Sequence, residues 1–156
     1  MRVAICAVGR LRSGPEHAQI TDYLTRFERT GRALGLGPAK IIEVEDKKGG
    51  GMKAEADLLA RAIPAGSLVM ALDERGRHYS SPEFAQEIAG WRDSGRQEVT
   101  FVIGGADGLW PELRDRADAS LSFGRMVWPH MLVRVMLAEQ LYRAAAILSG
   151  APYHRA

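Results

Sequence analysis

Apolar runs that suit β-strands alternate with stretches of helical periodicity along most of this chain. The predicted strands are Arg2–Val8, Lys40–Val44, Ser67–Leu72, Val99–Ile103 and Ala119–Phe123. The predicted helices are Glu16–Leu34, Met52–Ile63, Pro82–Arg92, Pro111–Arg116 and His130–Leu148. Continuously apolar strands separated by helices favour parallel pairing, with helices covering both faces of the sheet. We therefore predict an α/β fold with a mostly parallel sheet, formed by a single domain over residues 1–156.

Two of the helix ends carry clear local signals. Ser81, Pro82 and Glu83 supply a capping hydroxyl, a proline for the first helical position and an acid for the first turn. Gly150 and Pro152 end the last helix, because glycine takes up the left-handed conformation and proline cannot continue the helix.

Composition and charge restrict the class of protein. Apolar residues make up 46% of the chain and charged residues 26%, which is typical of a soluble globular protein. No run reaches the roughly 18 apolar residues of a membrane span, and the apolar N-terminus is too short for a signal peptide. Cys6 is the only cysteine and is expected in the core, which excludes an intrachain disulfide and a thiolate metal cluster. We expect a cytoplasmic protein with no membrane or metal partner.

The charge balance permits an anionic partner without requiring one. The net charge is +2 and the pI is about 8.9, a weaker basic bias than most dedicated nucleic-acid binders show. Affinity for RNA would therefore have to come from a local patch or from dimerisation. The remaining histidines outside the C-terminal tail, His17, His78 and His130, show no metal-ligand spacing.

Ligands of parallel α/β sheets bind beyond the carboxyl ends of the strands, and three loops occupy such positions here. They follow Leu72, Ile103 and Phe123. The second loop, Gly104–Gly108, holds three glycines, which suit either a tight strand-to-helix turn or close approach of a ligand. Its spacing matches neither a dinucleotide fingerprint nor a Walker loop. In the first loop, Asp73 and Glu74 form either a charged surface turn or a ligand contact at the sheet edge.

A glycine-rich basic loop contains Lys47 and Lys48. It is either a solvated surface loop or a mobile arm that contacts phosphates without reading bases. Arg10 and Arg12 follow the first strand and would extend the same patch.

The last predicted helix is apolar around most of its circumference. One broad arc holds Met131, Val135, Leu137, Ala138, Leu141 and Tyr142, and Arg134 falls inside it. Glu139, Gln140 and Arg143 lie opposite, although Leu132 and Met136 lie near them. We infer that the helix is covered from more than one direction, as dimerisation would achieve. Arg134 needs a partner there, either as a structural ion pair or carbonyl cap, or by facing a ligand cavity or second protomer.

The C-terminal tail carries reactive side chains. Tyr153 can stack on a base, His154 can move a proton and Arg155 can hold a phosphate. A frayed, non-functional terminus is the alternative.

Several segments together resemble the small SPOUT-class methyltransferases that modify pseudouridine in large-subunit ribosomal RNA. The similar segments are Phe101–Leu109, Leu121–His130, Val133–Val135, Glu139–Ala144 and Pro152–Arg155. The chain length also fits, so the resemblance covers essentially all of the chain, with the greatest specificity in its C-terminal third. One departure is Ala156, at a position where an acid or lysine is expected from the resemblance.

This resemblance implies a C-terminal trefoil knot, a homodimer and S-adenosylmethionine as cofactor. The implied cofactor-binding residues are Leu72, Gly105, Gly124, Arg125, Met126, Val127, Trp128 and Pro129. The implied reaction is methylation of N3 of a pseudouridine in the helix 69 region of 23S ribosomal RNA, on the assembled ribosome. The tail of one protomer would complete the site of the other.

The candidate bases or orienting groups are His154, Tyr153 and Glu139, in that order. Arg155, Arg134, Lys47, Lys48 and Arg10 are the candidate RNA contacts. Two other classes stay open: a non-catalytic ribosome-associated or RNA-binding protein of the same fold, and a small-molecule α/β enzyme that uses Gly104–Gly108 as an anion loop.

Overall fold

A computed structural model describes residues 1–155 and has the α/β architecture expected from the sequence. The strands are β1 (Arg2–Val8), β2 (Ala39–Val44), β3 (Leu68–Leu72), β4 (Glu98–Ile103) and β5 (Ala119–Leu121). The helices are α1 (Pro15–Gly31), α2 (Gly51–Ala62), α3 (Ser81–Asp93), α4 (Pro111–Arg116) and α5 (His130–Ser149), with a 3-10 turn at Arg32–Leu34. Ala156, the position that departs from the family pattern, lies outside the described residues.

The five strands form one sheet in the order β2-β1-β4-β3-β5, and every pair is parallel. β4 is the central strand, flanked by β1 and β3, and all six residues of β4 are buried. One core lies between the sheet and α1, α3 and α5, around Phe27, Phe101 and Leu141. The second, smaller core includes Cys6 and Leu59 on the other face. Helices therefore cover both faces, as predicted from the continuous apolar strands.

Some predicted boundaries differ from the structure. α1 ends at Gly31 rather than Leu34, because Leu36 turns back to donate its backbone N–H to the Gly31 carbonyl at 2.9 Å. A side chain at Gly31 would lie 2.9 Å from the Leu36 carbonyl oxygen. β5 stops at Leu121 rather than Phe123, because Ser122 leaves the ladder and donates its backbone N–H to the Arg77 carbonyl at 2.9 Å.

The cap of α3 is Ser80, one residue before the predicted Ser81. Its hydroxyl accepts from the Glu83 backbone N–H at 3.2 Å, and the Glu83 carboxylate accepts from the Ser80 N–H at 2.8 Å, which completes a capping box. Ser81 instead donates its hydroxyl to Gln140 on α5 at 2.8 Å. A long-range contact thus decides which of two adjacent serines caps the helix.

Candidate active site

The three loops singled out at the carboxyl edge of the sheet enclose one cavity of about 330 Å³. The lining residues are Leu72–Arg75, Ile103–Leu109, Leu121, Phe123, Gly124, Met126–Trp128, His130 and Val133. Six of the eight expected cofactor residues are among them, and the other two, Arg125 and Pro129, are exposed in the same loop. The topological argument therefore located the cavity correctly. His130 and Val133, at the start of α5, also line the cavity. Both lie in the segments that resemble the family, but neither was among the expected cofactor-binding residues.

The glycine-rich loop after β4 is both a tight turn and a cavity wall. Gly108 has φ of 86° and donates its N–H to the Gly105 carbonyl at 3.0 Å. A Cβ at Gly104 would overlap the Gly108 backbone, and one at Gly105 would lie 2.9 Å from the Glu55 carboxylate. Absence of side chains therefore allows the loop to close on itself while its backbone faces the cavity.

Ser122 fixes the start of the loop after β5. Its buried hydroxyl lies 2.9 Å from the Glu74 carbonyl and accepts from the Gly124 N–H at 3.0 Å. Beyond Gly124 the apolar side chains of Met126 and Val127 are 72% and 79% exposed. Adjacent exposed apolar side chains beside a cavity are typical of a surface that a ligand or partner covers.

Charged and polar groups surround the cavity. Arg75 donates its backbone N–H to the Asp73 carboxylate at 2.8 Å, and Arg114 lies 3.9 Å from the other oxygen of the same carboxylate. Burial lowers the pKa of His130, and the nearby Arg134 guanidinium lowers it further. His130 is therefore held as a neutral imidazole. Its Nδ1 is buried without a hydrogen-bond partner among the described residues, which leaves a polar atom for a ligand or water.

Behind the glycine-rich loop, burial raises the pKa of Glu55, and the carboxylates of Asp107 and Asp46 raise it further. Asp73, Glu74 and Asp107 line the cavity, with Arg75 as the cationic side chain of that lining, and this acidic wall disfavours an anionic ligand there. The arrangement argues against the anion-loop alternative for Gly104–Gly108, because a phosphate would meet like charges there.

The tail is ordered and folds back on α5. Tyr153 donates its hydroxyl to Glu139 Oε1 at 3.0 Å, and its ring lies 4.5 Å from that of Tyr142. Arg143 donates to the same Glu139 oxygen at 2.7 Å and lies 3.2 Å from His154 Nδ1. The structure thus brings all three predicted catalytic residues together. Arg143 is the member that the sequence analysis missed, and its i, i+4 spacing from Glu139 was the available signal.

This tail cluster, Glu139, Arg143, Tyr153 and His154, does not line the cavity of its own protomer. His130 lines the cavity at the start of α5, and Glu139 lies nine residues further on. A rise of 1.5 Å per residue places them about 14 Å apart along the helix axis. The predicted catalytic and cofactor-binding groups are therefore separated within one chain.

Of the predicted RNA contacts, Arg10, Lys47, Lys48 and Arg155 are exposed. The first three follow the carboxyl ends of β1 and β2, at the same edge of the sheet as the cavity. Parallel pairing therefore gathers the proposed basic patch at that edge.

Arg134 has no exposed surface. Its guanidinium donates to Glu43 Oε2 at 2.7 Å, to the Val8 carbonyl at 2.8 Å and to the Gly9 carbonyl at 2.7 Å. Of the alternatives that the sequence left open, these contacts favour the structural ion pair and carbonyl cap. The complete burial argues against the expected RNA contact.

Within residues 1–155, His, Cys, Asp and Glu form no group able to hold a metal ion. No helix in that range has the length and apolar character needed to cross a bilayer.

The fold is shared with two solved structures at low sequence identity. A probable methylase family protein from Haemophilus influenzae has a TM-score of 0.51 and 14% identity, over 99% of this chain and 70% of that one. A probable methyltransferase from Bordetella pertussis has a TM-score of 0.52 and 13% identity, over 92% of this chain and 95% of that one. These similarities bear on the fold alone.

Sequence comparison is more specific. Proteins named ribosomal RNA large subunit methyltransferase H, from Ruegeria sp. and Ruegeria pomeroyi, are each 70% identical over 155 residues, covering 99% of both chains. The protein of that name from Dinoroseobacter shibae is 68% identical over the same length. A family model described as predicted SPOUT methyltransferase matches residues 1–154. The family expected from the C-terminal motifs is therefore confirmed, and the chain belongs to the SPOUT methyltransferases.

Proposed function

We propose that this protein transfers a methyl group from S-adenosylmethionine to N3 of a pseudouridine in the helix 69 region of 23S ribosomal RNA, on the assembled ribosome. It acts as a single domain over residues 1–156 and as a homodimer in the cytoplasm. The observation that carries the proposal is the cavity at the carboxyl edge of the sheet, because two of its three loops, those after Ile103 and Leu121, lie within the segments that resemble the family. The matching names of the full-length relatives support the substrate class.

The cavity suits the cofactor. Leu72, Met126 and Val127 offer apolar surface, Gly105 leaves backbone accessible and His130 Nδ1 is a buried polar atom in need of a partner. The acidic wall suits a ligand that carries a positive sulfonium and ammonium better than one that carries phosphates. Leu72, Gly105 and the loop Gly124–Pro129 would hold it. The bound cofactor supplies an activated methyl group, so the protein needs no nucleophile of its own.

The protein's tasks are to place the target nitrogen in line with the methyl group and to manage the proton on that nitrogen. Placement alone contributes on the order of 7–11 kcal/mol in favourable cases. His154, Tyr153 and Glu139 are the proposed catalytic and orienting residues, and Arg155, Lys47, Lys48 and Arg10 the proposed RNA contacts.

A homodimer would place a tail cluster beside a cavity, although the two lie far apart within one chain. A second copy can bring its tail to the cavity, which the tail of the same protomer does not line. It would also cover Met126, Val127, Trp128 and Leu132, the large apolar side chains left exposed in the described part of the chain. We therefore propose that each active site combines the cavity of one protomer with the tail cluster of its partner.

Calorimetry and methyl incorporation test the activity. S-adenosylmethionine and its demethylated product are expected to bind, and label should enter ribosomes lacking the modification rather than naked 23S ribosomal RNA. Absence of cofactor binding would favour the alternative of a non-catalytic ribosome-binding protein. If the cofactor binds but label enters only naked 23S ribosomal RNA, the assembled ribosome is not the substrate.

The shared site is tested by mixing two defective protomers. Deletion of residues 153–156 is expected to abolish methylation while leaving cofactor affinity nearly unchanged. Gly124→Val is expected to abolish cofactor binding, because Gly124 has φ of 110° and a branched side chain there is strained. Co-expressed heterodimers of the two should recover activity through one intact composite site. Full activity of the deletion, or no recovery in the heterodimer, would refute the shared site.

A further inference from the structure

The tail cluster holds three groups that each accept protons in other settings, so their hydrogen bonds decide which of them can do so here. Glu139 accepts four hydrogen bonds from its neighbours. Its Oε1 accepts from Tyr153 at 3.0 Å and from Arg143 Nε and Nη2 at 2.9 and 2.7 Å, and its Oε2 accepts from Gln140 at 3.0 Å. Three of these four donors share Oε1, and Gln140 alone contacts Oε2. Glu139 therefore anchors both Arg143 and Tyr153 through one oxygen.

Tyr153 is held in its protonated form. Its hydroxyl already donates to Glu139. Burial, then that hydrogen bond and the negative charge of Glu139, raise the pKa of Tyr153 to about 12, while the Arg143 guanidinium 4.7 Å from the ring centre acts in the opposite direction. A phenol in this state donates a proton in a hydrogen bond and does not remove one near neutral pH.

His154 is restricted by Arg143. The guanidinium Nη1 lies 3.2 Å from His154 Nδ1. A guanidinium has donors only, so Nδ1 is the acceptor and the ring proton resides on Nε2. The free edge of the ring therefore presents an N–H donor. Arg143 cannot turn away without cost, because its other nitrogens are bonded to Glu139.

The charged and titratable groups that face this cluster come from two helices. Glu139, Tyr142 and Arg143 lie on α5, and Tyr23 and Arg26 approach from α1. Arg26 lies 5.9 Å from the centre of the Tyr142 ring and is bonded to Asp22 on its own helix at 3.2 Å. Glu139 is the carboxylate in direct contact with the tail, and its Oε1 is the atom that binds Tyr153 and Arg143.

We propose that the tail is a hydrogen-bond donor clamp for the N3-deprotonated nucleobase and not the base that deprotonates it. His154 is the catalytic donor, and Arg143, held by Glu139, is a positioning residue that fixes its tautomer. The proposal rests on the proposed function and concerns the fate of the N3 proton at that same site.

The step balances as follows. The N3 proton leaves to solvent water or hydroxide, which gives an anionic base with its charge shared between N3 and the adjacent carbonyl oxygens. His154 Nε2–H donates to one of these oxygens, as preorganised donors do at developing oxyanions. The N3 electron pair then forms a bond to the methyl carbon as the carbon–sulfur bond breaks, with its electron pair passing to sulfur. The anionic base thus becomes a neutral N3-methylated base, and the cationic sulfonium becomes a neutral thioether.

The tautomer is tested on the protein alone by nitrogen-15 NMR of the histidine rings. The chain has four histidines, and the spectrum of His154→Gln assigns the ring of interest by its absence. We expect His154 to show an unprotonated Nδ1 and a protonated Nε2, and Arg143→Met to lose that fixed pattern. A proton on Nδ1 in the unaltered protein would overturn the proposal. Because no substrate is present, that outcome would leave the methyltransferase activity untouched.

The pH dependence of single-turnover methylation of ribosomes, at saturating cofactor, separates a donor from a base. A histidine base gives a rate that levels off above its ordinary pKa of about 6.5. The donor clamp predicts a rate that keeps rising tenfold per pH unit above that value, because the titrating group is N3–H of the substrate. A plateau near neutrality in the chemical step would refute the clamp. Failure of the unaltered enzyme to methylate at any pH would refute the proposed function instead.

Two substitutions of His154 sharpen the distinction. The amide of His154→Gln keeps an N–H donor, and we expect it to retain at least a tenth of the rate. His154→Ala keeps none, and we expect a loss of about 100-fold or more, the lower end of what a positioned oxyanion donor contributes. Equal losses in both variants would contradict the donor role. His17→Gln, on the exposed face of α1, is the matched control and should match the unaltered enzyme.

Discussion

Arg134→Met should destabilise the protein because it removes the central donor of a buried junction. Arg134 joins α5 to the carboxyl ends of β1 and β2 through Glu43 and the carbonyls of Val8 and Gly9. Methionine fills similar volume without donors. The variant leaves the Glu43 carboxylate without its counter-charge and two carbonyls without their charged donor.

The size of the effect follows from those contacts. Removing one partner of a buried ion pair costs about 3–5 kcal/mol. Glu43 is 30% exposed and keeps the backbone N–H of Leu11 as a donor at 2.5 Å, so part of its charge stays solvated. The lower end of that range applies, about 3 kcal/mol. For a chain of this size that corresponds to a fall in Tm of about 6–12 °C.

Denaturant titration and calorimetry at one fixed protein concentration measure the loss, since the proposed dimerisation would make Tm depend on concentration. Arg96→Met, at an exposed residue between α3 and β4, is the control and should change stability by no more than about 0.5 kcal/mol. Glu43→Gln added to Arg134→Met should recover stability, because it removes the carboxylate left without a partner. A loss below about 1 kcal/mol for Arg134→Met, or strictly additive effects in the double variant, would refute the reasoning.

Three further predictions concern the loop, a helix cap and the thiol. Gly104→Ala should weaken S-adenosylmethionine binding at least tenfold by calorimetry, because its Cβ would overlap the Gly108 backbone; unchanged affinity would show that the loop shape is unimportant. Ser80→Ala should lower the free energy of unfolding by about 1 kcal/mol through loss of the capping hydroxyl, more than Ser81→Ala, and the reverse order would contradict the observed cap. Burial raises the pKa of Cys6 to about 11 from 9.0, so native protein should resist thiol reagents at pH 8. Because the pKa of Cys6 is higher in the folded state, the free energy of unfolding should fall between pH 9.0 and about 11, and less steeply in Cys6→Ala. Rapid labelling of the native protein, or an equal pH dependence of stability in the two proteins, would contradict this.

The strands and most helices could be predicted from sequence because their signals are local. The run Val99–Ile103 is apolar at every position except Thr100, and a short run of this kind is typical of a strand buried on both faces. The cavity was also predictable, since parallel strands bring their carboxyl ends to one edge and two of the loops there carry family motifs. Helix ends were less predictable: the choice between Ser80 and Ser81 as cap depends on Gln140, 59 residues from Ser81.

The partners of charged side chains depended on the tertiary structure. The sequence placed Arg134 on an apolar arc but could not select Glu43, 91 residues away, as its partner. His154, Tyr153 and Glu139 were separate candidates in the sequence, whereas the structure joins them through hydrogen bonds that include Arg143. The sequence could not give the strand order or the trefoil knot that membership of the SPOUT family implies. The physical reason is the range of the interactions: a propensity or a periodicity is set by neighbours within a few residues, while an ion pair, a tautomer or a chain crossing is set by segments that only packing brings together.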